Sequence, residues 1–260
     1  MSDPAHPDPQ RPVALVTGVG RVSGIGAAIA EGLALDGWDV AFTYWSAYDA
    51  RKPWGEQPDD PARVVQAVEG TGGRAHAVEA DLVDTAAAER ILDAVEAGLG
   101  PITALVLSHA ESVDSALLDT SVESLERHLA VNVRASLQLI QGFARRYRQA
   151  PGAGRIVALT SDAVVGEVAY GASKAALDRI VIAAARELEG ERITANLVDP
   201  GPTDTGWFTD EIRESLRETT PRGRLAEPRD AAALVCFLVS AEGGWINGQR
   251  IRSDGGQSVG

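Results

Sequence analysis

Tyr170 and Lys174 stand four positions apart in "AYGASKAAL" (169–177), at the start of a helical pattern. Residues i and i+4 share one helical face, so a phenol and an ammonium can address the same object. That object is either a substrate carbonyl or the neighbouring packing. The pair alone does not choose between them, because this spacing arises by chance in many helices. A glycine-rich turn, "TGVGRVSGIG" (17–26), offers a second kind of chemistry. Gly18, Gly24 and Gly26 permit a tight turn and let a pyrophosphate approach backbone N–H groups at a helix N-terminus. The plain alternative is a structural turn, and the G-x-G-x-x-G/A spacing fails in both registers, meeting Ser23 from Gly18 and Ile29 from Gly24.

The elements around these residues alternate. "PVALVT" (12–17), "DVAFTY" (39–44), "AHAVEADL" (75–82), "ITALVLS" (102–108), "RIVALTS" (155–161), "ITANLVDPG" (193–201) and "QRIRSDGG" (249–256) read as strands, with helical patterns between them. Near-continuous apolar strands alternating with helices predict a doubly wound parallel sheet, α/β in class, covered by helices on both faces. No repeat or linker divides the chain, which reads as one domain over 11–260 behind a flexible, proline-rich arm at 1–10. Two long insertions, 44–62 and 200–228, follow strands two and six, where ligands bind in this architecture. The second contains a lid or substrate segment at about 202–225, with Trp207 and Phe208 as an apolar wall.

Composition narrows the partners. A net charge of −13 over 260 residues argues against nucleic acid and anionic membrane. No apolar run reaches membrane-spanning length and no signal peptide is evident, so a cytoplasmic location is expected. The single cysteine, Cys236, lies in the apolar run "AAALVCFLV" and reads as a small buried hydrophobe. His6, His76 and His128 share no metal-ligand spacing, so no metal is expected. The end of the second strand, Thr43, Tyr44, Trp45 and Ser46, lacks the carboxylate that binds an adenosine 2′-hydroxyl. That permits a 2′-phosphate, for which Arg21 is a partner, and favours NADP(H) over NAD(H).

Over roughly residues 11 to 256 the sequence resembles the short-chain dehydrogenase/reductase family, in particular its 3-oxoacyl-carrier-protein reductases. "TGVGRVSGIG" is similar to the family's T-G-x3-G-x-G turn with two extra residues, placing Gly18, Arg21, Ser23, Gly24, Ile25 and Gly26 beside the cofactor, with Tyr44 at the end of strand two. "ADLVD" implies adenine contacts from Asp81 and Leu82. "AVNVRA" (130–135), "LTS" and "YGASK" imply a catalytic tetrad of Asn132, Ser161, Tyr170 and Lys174. "DPGPTDT" implies a nicotinamide-gripping loop through Pro200, Gly201, Thr203 and Thr205. Taken one at a time, Asn132 is equally a solvent-facing helix residue, Thr203 and Thr205 turn formers, and Asp81 a cap.

Two departures stand out. The family's N-N-A-G after strand four is "LSHA" (107–110), with Ser108 and His109 replacing the asparagines ahead of Ala110. His109 either reads substrate or ribose, or hydrogen-bonds the neighbouring backbone. Ser161 precedes Tyr170 by only nine positions, so the loop between them is short and the pocket is open or altered. The resemblance implies a Rossmann-type domain, hydride transfer between NADP(H) and a small-molecule carbonyl or alcohol, and a homotetramer or homodimer. Tyr170 would act as general acid, which requires its pKa of about 10 to fall by roughly three units, or about 4 kcal/mol. Lys174, with the cationic nicotinamide of the oxidised cofactor, would supply that shift, and Lys174 would also hold the ribose; Ser161 would bond the carbonyl oxygen, and Asn132 would kink its helix and anchor a water. Other readings are a dinucleotide-binding redox sensor without turnover, and a reductase of C=N or C=C bonds. Substrate contacts are expected from 108–114, 162–169 and 203–220.

Overall fold

The protein is described by a computed structural model over residues 11–259; the expected arm at 1–10 lies outside the described residues. Apolar and β-branched runs form seven parallel strands in one sheet: β1 (Val13–Thr17), β2 (Asp39–Tyr44), β3 (Ala75–Glu79), β4 (Ile102–Leu107), β5 (Arg155–Leu159), β6 (Thr194–Asp199) and β7 (Arg250–Arg252). Their order is β3-β2-β1-β4-β5-β6-β7, so the winding reverses between β1 and β4. A crevice opens at such a switch point, at the carboxyl ends of the strands.

The central strands β1, β4, β5 and β6 are buried along their whole length, and the edge strands β3 and β7 are not. Side chains alternate between the faces with period two. Val13 and Leu15 join one core cluster, with α4 (Ala87–Gly98), α6 (Ser136–Arg146) and α7 (Val168–Glu187) above them. Ala14 and Val16 join the other, under α1 (Ile25–Leu35), α3 (Asp60–Gly70) and α9 (Pro228–Val239). This is the doubly wound Rossmann-type sheet expected from the alternation.

Three shorter elements bear on the site. α2 (Ser46–Asp49) begins the insertion after β2, α5 (Val122–His128) precedes α6, and α8 (Asp210–Thr219) lies in the segment after β6. Between α5 and α6 the chain adopts a seven-residue π-helix, Leu129–Ala135, with Asn132 buried at its centre. Such wide turns inside helices concentrate at functional sites. Two strands end early: β5 stops at Leu159, leaving Ser161 in the following loop, and β7 covers only three of the residues in 249–256. β4 ends at Leu107, opposite Ala158, one residue before β5 stops, and β6 ends at Asp199, opposite the last residue of β7. Among the described residues no helix is long and apolar enough to cross a membrane.

Candidate active site

The floor of the crevice is the turn between β1 and α1. α1 starts after Gly24 with no side chain capping its first N–H groups and no acidic residue in its first turn. The donors and the positive end of the helix dipole are therefore left for an anion. Gly18 has φ +77°, and a Cβ there would lie 2.5 Å from the His109 backbone. A Cβ on Gly26 would lie 2.8 Å from the Gly18 carbonyl oxygen. Only glycine fits at either position, and an acid-free helix start over a glycine cradle fits a dinucleotide pyrophosphate. Ile25, Asp81 and Leu82 line the same cleft, and Asp81 Oδ1 also accepts from Val83 N at 2.9 Å. Ser23 is exposed and does not line it, because the turn directs that residue to solvent.

The insertion after β2 crosses the cleft as a strap, residues 45–59. Tyr44, Trp45, Tyr48, Asp49 and Trp54 all face the cleft. Arg21 is held within this wall: its Nη1 donates to the Thr205 carbonyl at 2.8 Å, its Nε lies 3.6 Å from Asp49 Oδ1, and its guanidinium sits 4.2 Å from the Trp54 ring centre. Trp54 donates from Nε1 to Asp49 at 2.8 Å and packs against Trp207 with ring centres 4.6 Å apart. The strap thereby ties the β1 turn to the loop after β6. The cleft it walls has about 250 Å³ of free volume. Asp49 is the carboxylate on this side of the cleft, delivered by the strap rather than by the end of β2.

The opposite wall carries Tyr170 and Lys174, one turn apart in α7, both lining the cleft. Lys174 is 2% exposed, its Nζ donates to the Leu159 carbonyl at 2.9 Å, and it lies 5.6 Å from the Tyr170 ring centre. Burial draws the ammonium down to a pKa of about 8 against a smaller opposing pull from Asp178. Burial pushes the Tyr170 phenol up from its ordinary value, and Glu167 adds to this while the Ser161 hydroxyl opposes it. In the protein by itself burial dominates the phenol, so the downward shift expected from Lys174 together with an oxidised nicotinamide is not present in the chain without its cofactor. Ser161 stands on the loop beyond β5, its Oγ accepting from Ala163 N at 3.1 Å, and does not line the cleft itself.

Asn132 works from behind. Its Oδ1 accepts from Glu111 N at 2.7 Å, and its Nδ2 donates to the Glu111 carbonyl and to Ser173 Oγ, each at 2.9 Å. Ser173 Oγ donates in turn to the Tyr170 carbonyl at 2.7 Å. The solvent-facing alternative for Asn132 does not hold; its side chain is satisfied and clamps β4's exit loop to α7. His109 is likewise committed. Thr17 Oγ1 donates to Nδ1 at 2.6 Å, leaving Nε2–H to donate to the Val131 carbonyl at 3.1 Å. Burial, with Lys174 nearby, lowers its pKa to about 3, so the ring is neutral. His109 and its neighbours Ser108 and Ala110 line the cleft, but the imidazole nitrogens are spent on the protein's own framework.

In the loop after β6, Pro200 and Thr205 line the cleft. Gly201, at φ +60°, and Thr203 lie behind it, because Thr203 Oγ1 donates back to the Pro200 and Gly201 carbonyls at 3.3 and 3.2 Å. Sequence reasoning placed Glu111 in the expected substrate segment 108–114 and Tyr48, Asp49 and Trp54 in the insertion 44–62, but singled out none of the four. Glu111 left one signal: it stands where the final glycine of N-N-A-G would fall. Cys236 is half-buried away from the cleft, its thiol pushed up to about 12 by burial.

The comparisons with known proteins agree with this geometry. A family model described as enoyl-(acyl carrier protein) reductase matches residues 18–258. An uncharacterised oxidoreductase of Bacillus subtilis, YjdA, is 37% identical over 252 residues, covering 95% of this chain and 97% of its own. An NADPH-dependent aldehyde reductase-like chloroplastic protein of Arabidopsis thaliana is 37% identical, covering 94% of this chain and 93% of its own. Among solved structures, a short-chain dehydrogenase from Burkholderia cenocepacia in complex with NADP is 35% identical with a TM-score of 0.85, covering 96% of this chain and 99% of that one. With the switch-point cleft, the glycine cradle and the Tyr170–Lys174 pair in one wall, the chain belongs to the short-chain dehydrogenase/reductase family of oxidoreductases.

Proposed function

We propose that the protein is an NADP(H)-dependent reductase of small carbonyl compounds, running in reverse as an alcohol dehydrogenase. One observation carries this reading. Tyr170 and Lys174 stand in the wall of the same cleft whose floor is an uncapped, acid-free helix start over Gly18 and Gly26. A proton donor thus faces the place where a dinucleotide would lie. NADP(H) is favoured over NAD(H) because the end of β2, Tyr44, Trp45 and Ser46, supplies no carboxylate and Arg21 stands in the cleft, although Asp49 of the strap faces the same guanidinium. The names of the Arabidopsis and Burkholderia relatives agree.

The bound nicotinamide would supply hydride to the carbonyl carbon, and its oxidised form would add positive charge near Tyr170. The chain's own residues handle the proton. Tyr170, in the cleft wall, would donate it to the developing alkoxide as the general acid. Lys174, fixed by the Leu159 carbonyl, is mostly protonated at pH 7 and favours the tyrosinate left behind. Ser161, whose hydroxyl already counters the upward push on the phenol, bonds the same substrate oxygen. Asn132 is a positioning residue, locking the Glu111 loop to α7.

The description of the matching family model favours a second reading, reduction of a C=C bond. Fluorescence titration with NADPH and NADH, followed by turnover on ketones, aldehydes and an enoyl thioester, separates the two. NADPH binding at least about tenfold tighter than NADH, with carbonyl turnover, is the expected result. Turnover confined to the enoyl thioester would replace the carbonyl reading, and failure to bind either dinucleotide would remove both.

A further inference from the structure

Glu111 is a cleft residue whose side-chain chemistry the reductase reading leaves unused. Its side chain is buried, with 1% of the residue exposed, yet it lines the cleft between the strap and the catalytic wall. Oε2 takes two guanidinium donors, Arg51 Nη2 and Arg127 Nε, each at 3.1 Å. Oε1 is buried with no hydrogen-bond partner. A buried carboxylate oxygen without a donor is costly, and natural proteins rarely leave one so without reason. Its main chain is pinned on both sides by Asn132, whose side chain bonds Ser173, which bonds the Tyr170 carbonyl. The free acceptor is therefore held in fixed relation to the reacting centre.

Resting on the reductase reading, we propose that Glu111 is a specificity-determining residue that accepts a hydrogen bond from a neutral hydroxyl of a hydroxylated carbonyl substrate. Neutrality follows from charge. Oε2 of this one carboxylate already meets two guanidiniums, those of Arg51 and Arg127, so an ammonium at Oε1 would be a third cation on the same charge. A hydroxyl brings a donor without a charge. A substrate lacking it leaves the buried oxygen unpaired, and that arrangement discriminates far more strongly than a missing methylene does.

The test compares 3-hydroxybutan-2-one and 4-hydroxybutan-2-one with butan-2-one, using NADPH and both wild-type protein and Glu111→Gln. The wild type is expected to prefer one of the hydroxyketones by about tenfold or more in kcat/KM, and the variant to reduce that preference to about threefold or less. Unchanged NADPH affinity and melting temperature show that the variant is folded. The Tyr170→Phe protein with NADP bound provides a readout independent of turnover. There butane-2,3-diol is expected to bind more tightly than butan-2-ol, and Glu111→Gln is expected to erase the difference. Equal treatment of hydroxylated and plain compounds by the wild type, or a preference that survives Glu111→Gln, overturns the role of Glu111. Absence of all carbonyl turnover with the diol preference intact overturns only the reductase reading.

Discussion

His109 and Lys174 place two titratable nitrogens in the cleft wall, and each makes stability depend on pH in its own window. His109 has a pKa of about 3 in the folded protein, below the ordinary 6.5, because burial disfavours its charge. Between those values the unfolded chain binds the proton and the folded one does not, so stability falls as pH drops from 6.5. The slope approaches about 1.4 kcal/mol per pH unit. Urea unfolding of His109→Asn at pH 7 and pH 5 is expected to show a shallower acid loss than the wild type; parallel losses would contradict this. Lys174 is also lowered, to about 8 from 10.5, so its burial costs stability below pH 8 and that cost is relieved as pH rises toward 10.5. Lys174→Met is expected to stabilise the protein at pH 7 by about 2 kcal/mol, after loss of the Leu159 bond, with the gain shrinking above pH 8. A destabilised variant would show that the Leu159 bond outweighs desolvation.

At the scale of elements, the strap at 45–59 joins parts of the chain that are distant in sequence. Asp49 pairs with Arg21, Arg51 reaches Glu111, and Trp54 packs on Trp207. If the aromatic pair couples the strap to the segment after β6, then Trp54→Ala and Trp207→Ala are non-additive by about 1 kcal/mol in a double-mutant cycle on unfolding. Strict additivity would mean that the two rings merely sit side by side. This element also marks the limit of what the sequence discloses. The sheet was legible, with β2 read over 39–44 and most other ends within a few residues, because buried parallel strands are continuous apolar runs. The Tyr170–Lys174 pair was legible because helical spacing places it on one face. The strap was not, because contacts such as Arg51 to Glu111 span 60 positions and leave no local pattern. The clamp of Asn132 to the Glu111 backbone and the position of Ser161 two residues past the end of β5 left no local pattern for the same reason.

For the whole molecule, net charge and the anion-binding groups of the cleft act in opposite directions, although Asp49, Asp81 and Glu111 line that cleft as well. A net charge of −13 repels anionic ligands at long range, while Arg21, Lys174 and the uncapped start of α1 meet them inside. Long-range repulsion is screened by salt within about 10 Å at 0.1 M, whereas the partly buried groups of the cleft keep their attraction. The fold thus admits an anionic dinucleotide at one place, beside the one wall that carries Tyr170 and Lys174. The most direct measurement is NADPH binding and NADPH-dependent ketone reduction by the wild type and Tyr170→Phe. The account predicts that both bind NADPH with affinities within about threefold, while turnover falls by about 10² to 10⁴ in the variant. Turnover that survives the loss of the phenol would contradict it.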